Sequence, residues 1–314
     1  MVAITASLHA IDRILGAMTD ADGERLRKAL HGGQSAASIA RDLAVVGHDI
    51  HQSSVKRWRA SHTPTATTAP RTLVIDIESS PNFAGIWGLF DQNVGLVQLE
   101  DVSHVMCFAA KWLGDKKVHF YSEHHDGREA MIEAAWRLLD EADCVIGYNS
   151  KSFDVKHLHR EFVLAEMPPP SPHKDLDLLT IVRSRFKFVS SKLDHVAAQL
   201  GLGTKLKHQG YEMWRACLNG DEAAWKTFRS YNIQDVRLTE ALYYRIQGWI
   251  KGHPHHGLYG GDVAGCPNCG SSNLSPNATV PAGVSMFAAY RCDDCGANSR
   301  SMRRVGVTTA TRSA

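Results

Sequence analysis

Apolar positions fall into three differently patterned stretches. From 1 to 60 the spacing is helical; Ile39 and Leu43 stand four apart in a segment from Ser35 to Leu43. From 71 to 250 short apolar runs alternate with amphipathic ones. Leu73 to Glu78 reads as a strand. Val105 to Leu113 and Lys117 to Tyr121 read as two more, joined by a turn at Gly114-Asp115. Arg128 to Glu141 is an amphipathic helix with Met131, Ala135, Leu138 and Leu139 on one face. Cys144 to Tyr148 reads as a buried strand, and Ser152 to Ala165 as a helix stopped by Pro168-Pro169-Pro170. Ser191-Lys192-Leu193-Asp194 reads as an N-cap with an acidic N3 residue, opening a helix to Leu200. Glu222 to Ile250 is one long helix or two short ones. Three strands followed by helix and strand alternation predict an α/β layer fold with a mixed sheet.

Composition shifts divide the chain further. Residues 1–60 form a small all-α module, and 61–70 are a Thr-rich, Pro-bounded linker. Residues 71–250 are the α/β domain, and 251–265, rich in Gly and His, are a second linker. Residues 266–302 are a cysteine-bounded module, and 303–314 a disordered tail rich in Thr, Arg and Ala. The 314 residues are 44% hydrophobic, enough for two or three packed domains. No apolar run approaches the roughly 20 residues that span a bilayer. The start of the chain has no signal-peptide pattern, so the expectation is a soluble, cytoplasmic protein with no membrane contact.

Net charge is +2 but unevenly placed. Residues 1–70 carry 8 Lys/Arg against 6 Asp/Glu, 71–250 carry 21 against 24, and 251–314 carry 6 against 3. The basic flanks suit nucleic acid weakly, and an acidic centre acting on a polyanion would need metal ions to correct the sign locally.

Four carboxylates in that centre are misplaced on packing grounds. Asp76 and Glu78 interrupt the apolar run from Leu73, and at i and i+2 of a strand they share one face. Asp154 follows the buried run Cys144 to Tyr148 at a loop-to-helix junction. Tyr231 and Asp235 share a helix face at i and i+4. Buried carboxylates that converge repel one another, and divalent cations are the usual remedy.

These motifs resemble those of the ribonuclease H-like 3′→5′ exonucleases with four acidic residues and a tyrosine, the DEDDy group. Asp-x-Glu is Asp76 and Glu78; Asn-x-x-x-Phe-Asp is Asn149, Phe153 and Asp154; Tyr-x-x-x-Asp is Tyr231 and Asp235. The resemblance covers roughly residues 72–248. The sibling group places a histidine five residues before the last Asp, where this chain has Ser230. The resemblance implies a ribonuclease H-like mixed sheet flanked by helices and a two-metal mechanism using Mg²⁺ or Mn²⁺. Asp76 would bridge both ions, Glu78 and Asp235 would hold the ion carrying the attacking water, and Asp154 the second ion. Tyr231 would orient that water, and nucleoside monophosphates would leave from a 3′ end.

Tyr148, Asn149 and Phe153 are candidates for lining the cleft for the terminal nucleotide. Phe83, Trp87 and Phe90 either stack on bases or pack on the sheet. Lys205, Lys207 and His208 form a basic loop that touches phosphate or is simply solvated. Asp175 and Asp177 are best read as capping the next helix, and Cys144 has no accompanying His motif that would make it a nucleophile.

Cys266-Pro267-Asn268-Cys269 and Cys292-Asp293-Asp294-Cys295 give the spacing of a four-thiolate structural Zn²⁺ site, a zinc ribbon with Gly270 and Gly296 at the knuckles. Cys107, Cys144 and Cys217 are scattered, so disulfides are not expected. The N-terminal module resembles a helix-turn-helix, with Ser35 to Leu43 as first helix, Gly47 to His51 as turn and Ser53 to Arg59 opening a recognition helix. On that ground DNA is favoured over RNA as substrate. The rival readings are an RNA-processing or structure-selective nuclease, and a DNA-binding regulator that does not cut.

Overall fold

The computed structural model describes residues 5–31, 34–62, 69–206, 210–306 and 309. Four helices make the N-terminal module: α1 (Thr5–Ala17), α2 (Asp20–His31), α3 (Ala36–Val45) and α4 (Gln52–His62). Ser35 caps α3, its Oγ accepting from the Ser38 N–H at 3.0 Å. Ile11, Leu30, Ile39, Leu43, Val55 and Trp58 close a core of their own.

The central domain opens with β1 (Thr72–Ser79), then the short pair β2 (Phe83–Ala84) and β3 (Leu99–Asp101), then β4 (Val105–Trp112) and β5 (His119–Ser122). Next come α5 (Glu123–Asp126), α6 (Arg128–Glu141), β6 (Cys144–Gly147), α7 (Asp154–Leu164), β7 (Lys174–Asp177) and α8 (Leu178–Arg185). It ends with α9 (Leu193–Gln199), α10 (Tyr211–Leu218) and α11 (Glu222–Ile246). The sheet order is β5-β4-β1-β6-β7. β1–β4 and β4–β5 are antiparallel, β1–β6 and β6–β7 parallel. The mixed sheet expected from the sequence is present.

Alternation along β1 builds two cores. Leu73, Ile75 and Ile77 face Trp136, Leu139 and Phe162 of α6 and α7. Val74 faces the opposite layer, with Val182, Val196, Val236 and Leu242 of α8, α9 and α11. Asp76 and Glu78 continue the Val74 side, so their carboxyl groups enter the layer occupied by α11. No helix among the described residues is long and apolar enough to cross a membrane.

The C-terminal strands β8 (Leu274–Ala282), β9 (Ser285–Cys292) and β10 (Asn298–Val305) form an antiparallel sheet in the order β10-β9-β8.

Several expectations need correction. β10 runs to Val305, three residues into the stretch read as a disordered tail, because it pairs with β9 through Arg304↔Phe287 and Val305↔Met286. Residues 251–265 are not a free linker: His253 is buried, and its Nε2 lies 2.7 Å from the Tyr243 hydroxyl. Burial pulls the His253 imidazole down to about 4. Ser191 does not cap α9; Lys192 holds that position without a side-chain bond, and Asp194 Oδ1 instead accepts from the Lys205 N–H at 2.9 Å. Residues 63–68 of the first linker lie outside the described residues.

The recognition-helix reading also changes. Arg59 of α4 donates to the carbonyls of Leu30, Ala29 and Gln34 at 2.5, 2.9 and 2.6 Å. Gln52 donates to the Pro169 carbonyl at 3.2 Å. The Lys56 ammonium is buried, its pKa lowered by desolvation against the pull of Asp140 and Asp143. Gln52 and Lys56 thus face the central domain and Arg59 is spent inside the module; none of the three is presented to a DNA groove.

Candidate active site

Strand β1 and helix α11 bring three carboxylates together. Oxygens of Asp76, Glu78 and Asp235 lie within 4.8 Å of one another. Asp76 and Glu78 are half-buried, and Asp235 is 1% exposed. Asp154, the first residue of α7, is buried beside them, its Oδ1 accepting from the Ile77 N–H at 2.9 Å. That bond is made to the backbone between the two β1 carboxylates.

Helix α11 meets the sheet through a stripe at helical spacing: Phe228, Tyr231, Asn232, Asp235, Val236 and Thr239 are all buried. Polar side chains in such a stripe need partners inside. Asn232 Nδ2 donates to Asp76 Oδ2 at 2.7 Å and to the Asp76 carbonyl at 3.1 Å. Its Oδ1 is buried with no hydrogen-bond partner among the described residues.

Lys205 supplies the counter-charge. Its ammonium pairs with Asp235 Oδ2, donates to the Tyr231 hydroxyl at 3.2 Å and lies 5.1 Å from the centre of the Tyr231 ring. The solvated-loop reading of Lys205 is therefore corrected; Asp194 anchors its backbone and two site residues hold its head. Lys207 and His208 lie outside the described residues.

One ammonium does not offset the acidity. Burial, then the like charges of Asp154, Glu78 and Asp235, hold the Asp76 carboxyl well above its usual range. Burial and then Asp235 push Glu78 up to about 8. Burial pushes Asp154 up to about 7, against the opposing hydrogen bond from Ile77. The Tyr231 phenol is raised by burial and by Asp235. For Lys205, burial alone would lower the pKa; the attraction of Asp235 outweighs it and the net direction is upward.

Crowded carboxylates with oxygen-only donors fit a hard divalent cation such as Mg²⁺ or Mn²⁺. The buried, unpaired Asn232 Oδ1 adds one more oxygen beside them. Cys266, Cys269, Cys292 and Cys295 cluster separately, with Cys266–Cys295 and Cys269–Cys292 sulfur distances of 3.6 Å. A tetrahedral Zn²⁺ with bonds of about 2.3 Å sets its sulfurs about 3.8 Å apart, so this donor set fits zinc. Gly270 and Gly296 take the positive φ of +77° and +75° that each knuckle requires.

The candidate substrate residues Tyr148, Asn149 and Phe153 lie between the end of β6 and the start of α7. The Tyr148 hydroxyl donates to the Ser191 carbonyl. Asn149 is exposed, takes a left-handed φ of +71°, and donates its N–H to Asp177 Oδ1 at 2.9 Å. Phe153 is 37% exposed and leans on the His157 ring. Asp177 also caps α8 through the Leu179 N–H, as expected of it. Cys144 is buried, and burial pushes its thiol up to about 12, which leaves no nucleophile there.

At the end of β1, a groove of about 320 Å³ is lined by Ser79, Ser80, Pro81, Gly210, Tyr211 and Trp214. Trp214 meets Tyr231 edge-on, ring centres 6.4 Å apart. In the segment between β2 and β3, Trp87 and Phe90 are 99% and 85% exposed, so they do not pack on the sheet; Phe83 is half-buried in β2.

Asn232 and Trp214 are the site neighbours the motif reading missed. The signal for Asn232 was a polar residue inside an otherwise core-facing stripe; Trp214 had none.

Residues 95–247 match the family described as the RNase_H superfamily. Among solved structures, the family B DNA polymerase from the hyperthermophilic archaeon Pyrobaculum calidifontis is similar over 57% of this chain, with 21% identity and a TM-score of 0.43. This chain spans 25% of that polymerase's length. No curated protein matches by sequence. The matched segment holds Asp154, Tyr231 and Asp235 and starts beyond Asp76 and Glu78. The helix-flanked mixed sheet is a ribonuclease H-like fold, and the family match from residue 95 to residue 247 lies on it.

Proposed function

We propose that this chain is a metal-dependent nuclease that removes nucleotides from the 3′ end of a nucleic-acid strand. The observation that carries this reading is the meeting of Asp76, Glu78 and Asp235 within 4.8 Å, with Asp154 tied to the same strand. In this reading Asp76, Glu78, Asp154 and Asp235 hold two Mg²⁺ or Mn²⁺ ions. Bound ions of this kind neutralise charge building on a phosphate and lower the pKa of adjacent water.

The protein's own groups do the rest. A phenol whose pKa is raised stays protonated at neutral pH, so Tyr231 acts as a hydrogen-bonding guide for the attacking water and not as its base. Lys205 fixes that hydroxyl and adds a positive charge where phosphate would arrive. The groove beside Glu78 has the volume of a small-ligand site and suits a terminal nucleotide. Arg183, Arg185, Lys187 and Lys192 are exposed on the segment that Ser191 joins to Tyr148. From 178 to 193 that stretch contains no acidic residue, so it offers the strand a phosphate track.

The deciding assay incubates 5′-labelled DNA and RNA strands with the protein and Mg²⁺ or Mn²⁺. A ladder shortening from the 3′ end is expected, blocked by a 3′-phosphorothioate cap and absent on circular strands. Asp76→Asn should slow it by at least about 10²–10³-fold, the scale of one lost preorganised electrostatic partner, without loss of fold. Cleavage of circles, or unchanged activity in Asp76→Asn, would overturn the reading. Tight strand binding with no cleavage would favour a non-catalytic regulator. Because α4 turns Lys56 and Arg59 inward, both polymers are assayed on equal footing.

A further inference from the structure

A second group of metal-ligating side chains lies apart from the acidic site. His124 and His125, in the short helix α5, both aim Nε2 at the carboxylate of Glu222, in the first turn of α11. The separations are 2.8 Å from His124 to Oε1 and 3.4 Å from His125 to Oε2. The ligand atoms of all three residues fall within 4.8 Å of one another.

The rings are held from behind. Trp225 is 1% exposed, and its indole N–H donates to the Cys217 carbonyl at 2.9 Å. His124 lies flat on that indole, centroids 5.3 Å apart at 9°. His125 meets the same ring edge-on at 5.9 Å and 83°. His125 Nδ1 is 2.8 Å from Ser122 Oγ, and Ser122 is fully buried. A hydrogen bond on the far nitrogen is what orients an imidazole that binds metal through the near one. Glu222 stands one turn before Trp225 on the same face of α11, so the Trp and the carboxylate come as a unit.

An ordinary surface ion pair joins two side chains that nothing else holds, and fixing them in one geometry costs rotamer entropy. Here one carboxylate receives two rings whose other faces are already fixed. The N₂O donor set is open on its outer side, where the 73% exposed Glu222 side chain meets solvent. Two imidazoles and a carboxylate suit a borderline transition ion and disfavour Mg²⁺ or Ca²⁺.

We propose that His124, His125 and Glu222 form a binding site for one Zn²⁺, Ni²⁺ or Co²⁺ ion, completed by water. The ion clips the turn after β5 to the start of the helix that carries Tyr231 and Asp235. This goes beyond the nuclease reading and stands if that reading falls.

The test is calorimetric titration of Ni²⁺, in saturating Mg²⁺ so that the acidic site is already filled, into the full chain with Zn²⁺ supplied to its four-cysteine cluster. It is run on the unsubstituted protein, on Asp76→Asn, and on the pair His124→Ala with His125→Ala. One ion is expected to bind at micromolar concentration in the first two and to lose at least about tenfold in affinity in the third. Ni²⁺ should also raise the melting temperature of the first two and not of the third. Circular dichroism in chelator checks that the double variant folds; should it not, Glu222→Gln is read in its place. Equal affinity in the histidine or glutamate variants, loss of the binding in Asp76→Asn, or binding only at millimolar ion would overturn the proposal.

Discussion

Asn232 Nδ2 donates to Asp76 Oδ2 at 2.7 Å, across the contact between α11 and β1. One residue beyond Tyr231, it fixes the carboxylate that protrudes from the centre of the sheet. Replacing it with Ala should raise the Mg²⁺ concentration for half-maximal activity about 10–100-fold, the usual effect of losing a partner behind a metal ligand. The maximal rate should fall less. Metal titrations of the two proteins separate these effects, and an unchanged metal requirement would refute the positioning role.

Lys205 pairs with Asp235 where a divalent cation would compete for the same carboxylate. Lys205→Ala should destabilise the metal-free protein by about 1–3 kcal/mol, since a buried charge loses its counter-ion. Mg²⁺ should restore most of that loss, while turnover stays low because the Tyr231 hydroxyl is no longer held. Thermal melting with and without Mg²⁺ tests the first half, and kcat the second.

The metal-free protein should weaken as pH rises. Glu78 and Asp154 titrate at about 8 and about 7 in the fold, against 4.5 and 3.8 as ordinary values. Raised acids favour the folded state fully below their ordinary pKa and lose that contribution as pH climbs through the folded values. Melting temperature without divalent ions should therefore fall from about pH 4 to about pH 8, the window between the ordinary and the folded values. Saturating Mg²⁺ should flatten the drop, because a cation favours the ionised carboxylates. A metal-free profile that rises over this range would contradict the assignment.

The cysteine module is joined to the end of α11. Asn268, between two of the cysteines, donates to the carbonyls of Gln247 and Ile250 at 2.7 and 2.9 Å, and Gln247 Nε2 returns a bond to the Asn268 carbonyl at 2.7 Å. A Cβ on Gly248 would lie 2.1 Å from the Cys295 carbonyl oxygen. Gly248→Ala should cost about 1–3 kcal/mol by overpacking and speed zinc loss to a chelator. Zinc release followed with a chromogenic chelator checks this; an unchanged rate would mean that this close approach does not matter for metal retention.

Arg185 and Lys187 alternate outward with half-buried Phe186 and Phe188 along the proposed phosphate track. Their joint replacement by Ala should weaken single-strand binding and reduce the log–log salt slope by about 0.7 for each phosphate no longer neutralised. A slope identical to the parent would place the strand elsewhere.

Much of this was legible along the chain. The strand at Asp76 and Glu78, the helix from Arg128 to Glu141 and the long helix through Tyr231 follow from periodicity, because burial of one face forces a repeat of two or near 3.6. The four cysteines were legible because a tetrahedral ion demands short local spacing. The inward turn of Lys56 and Arg59 was not, since a basic amphipathic helix looks the same whether its cations meet DNA, carbonyl groups or a neighbouring domain. Residues 251–265 read as a linker because Gly and His carry no period, yet His253 is held by Tyr243.

By itself the sequence determined which side chains share a strand face or a helix face, since backbone geometry is local. Only the tertiary structure decided which faces meet. It set Asn232 against Asp76 and Lys205 against Asp235, and it gathered His124, His125 and Glu222 around one indole. These pairings join residues up to 156 positions apart, through layer packing that no short-range pattern encodes.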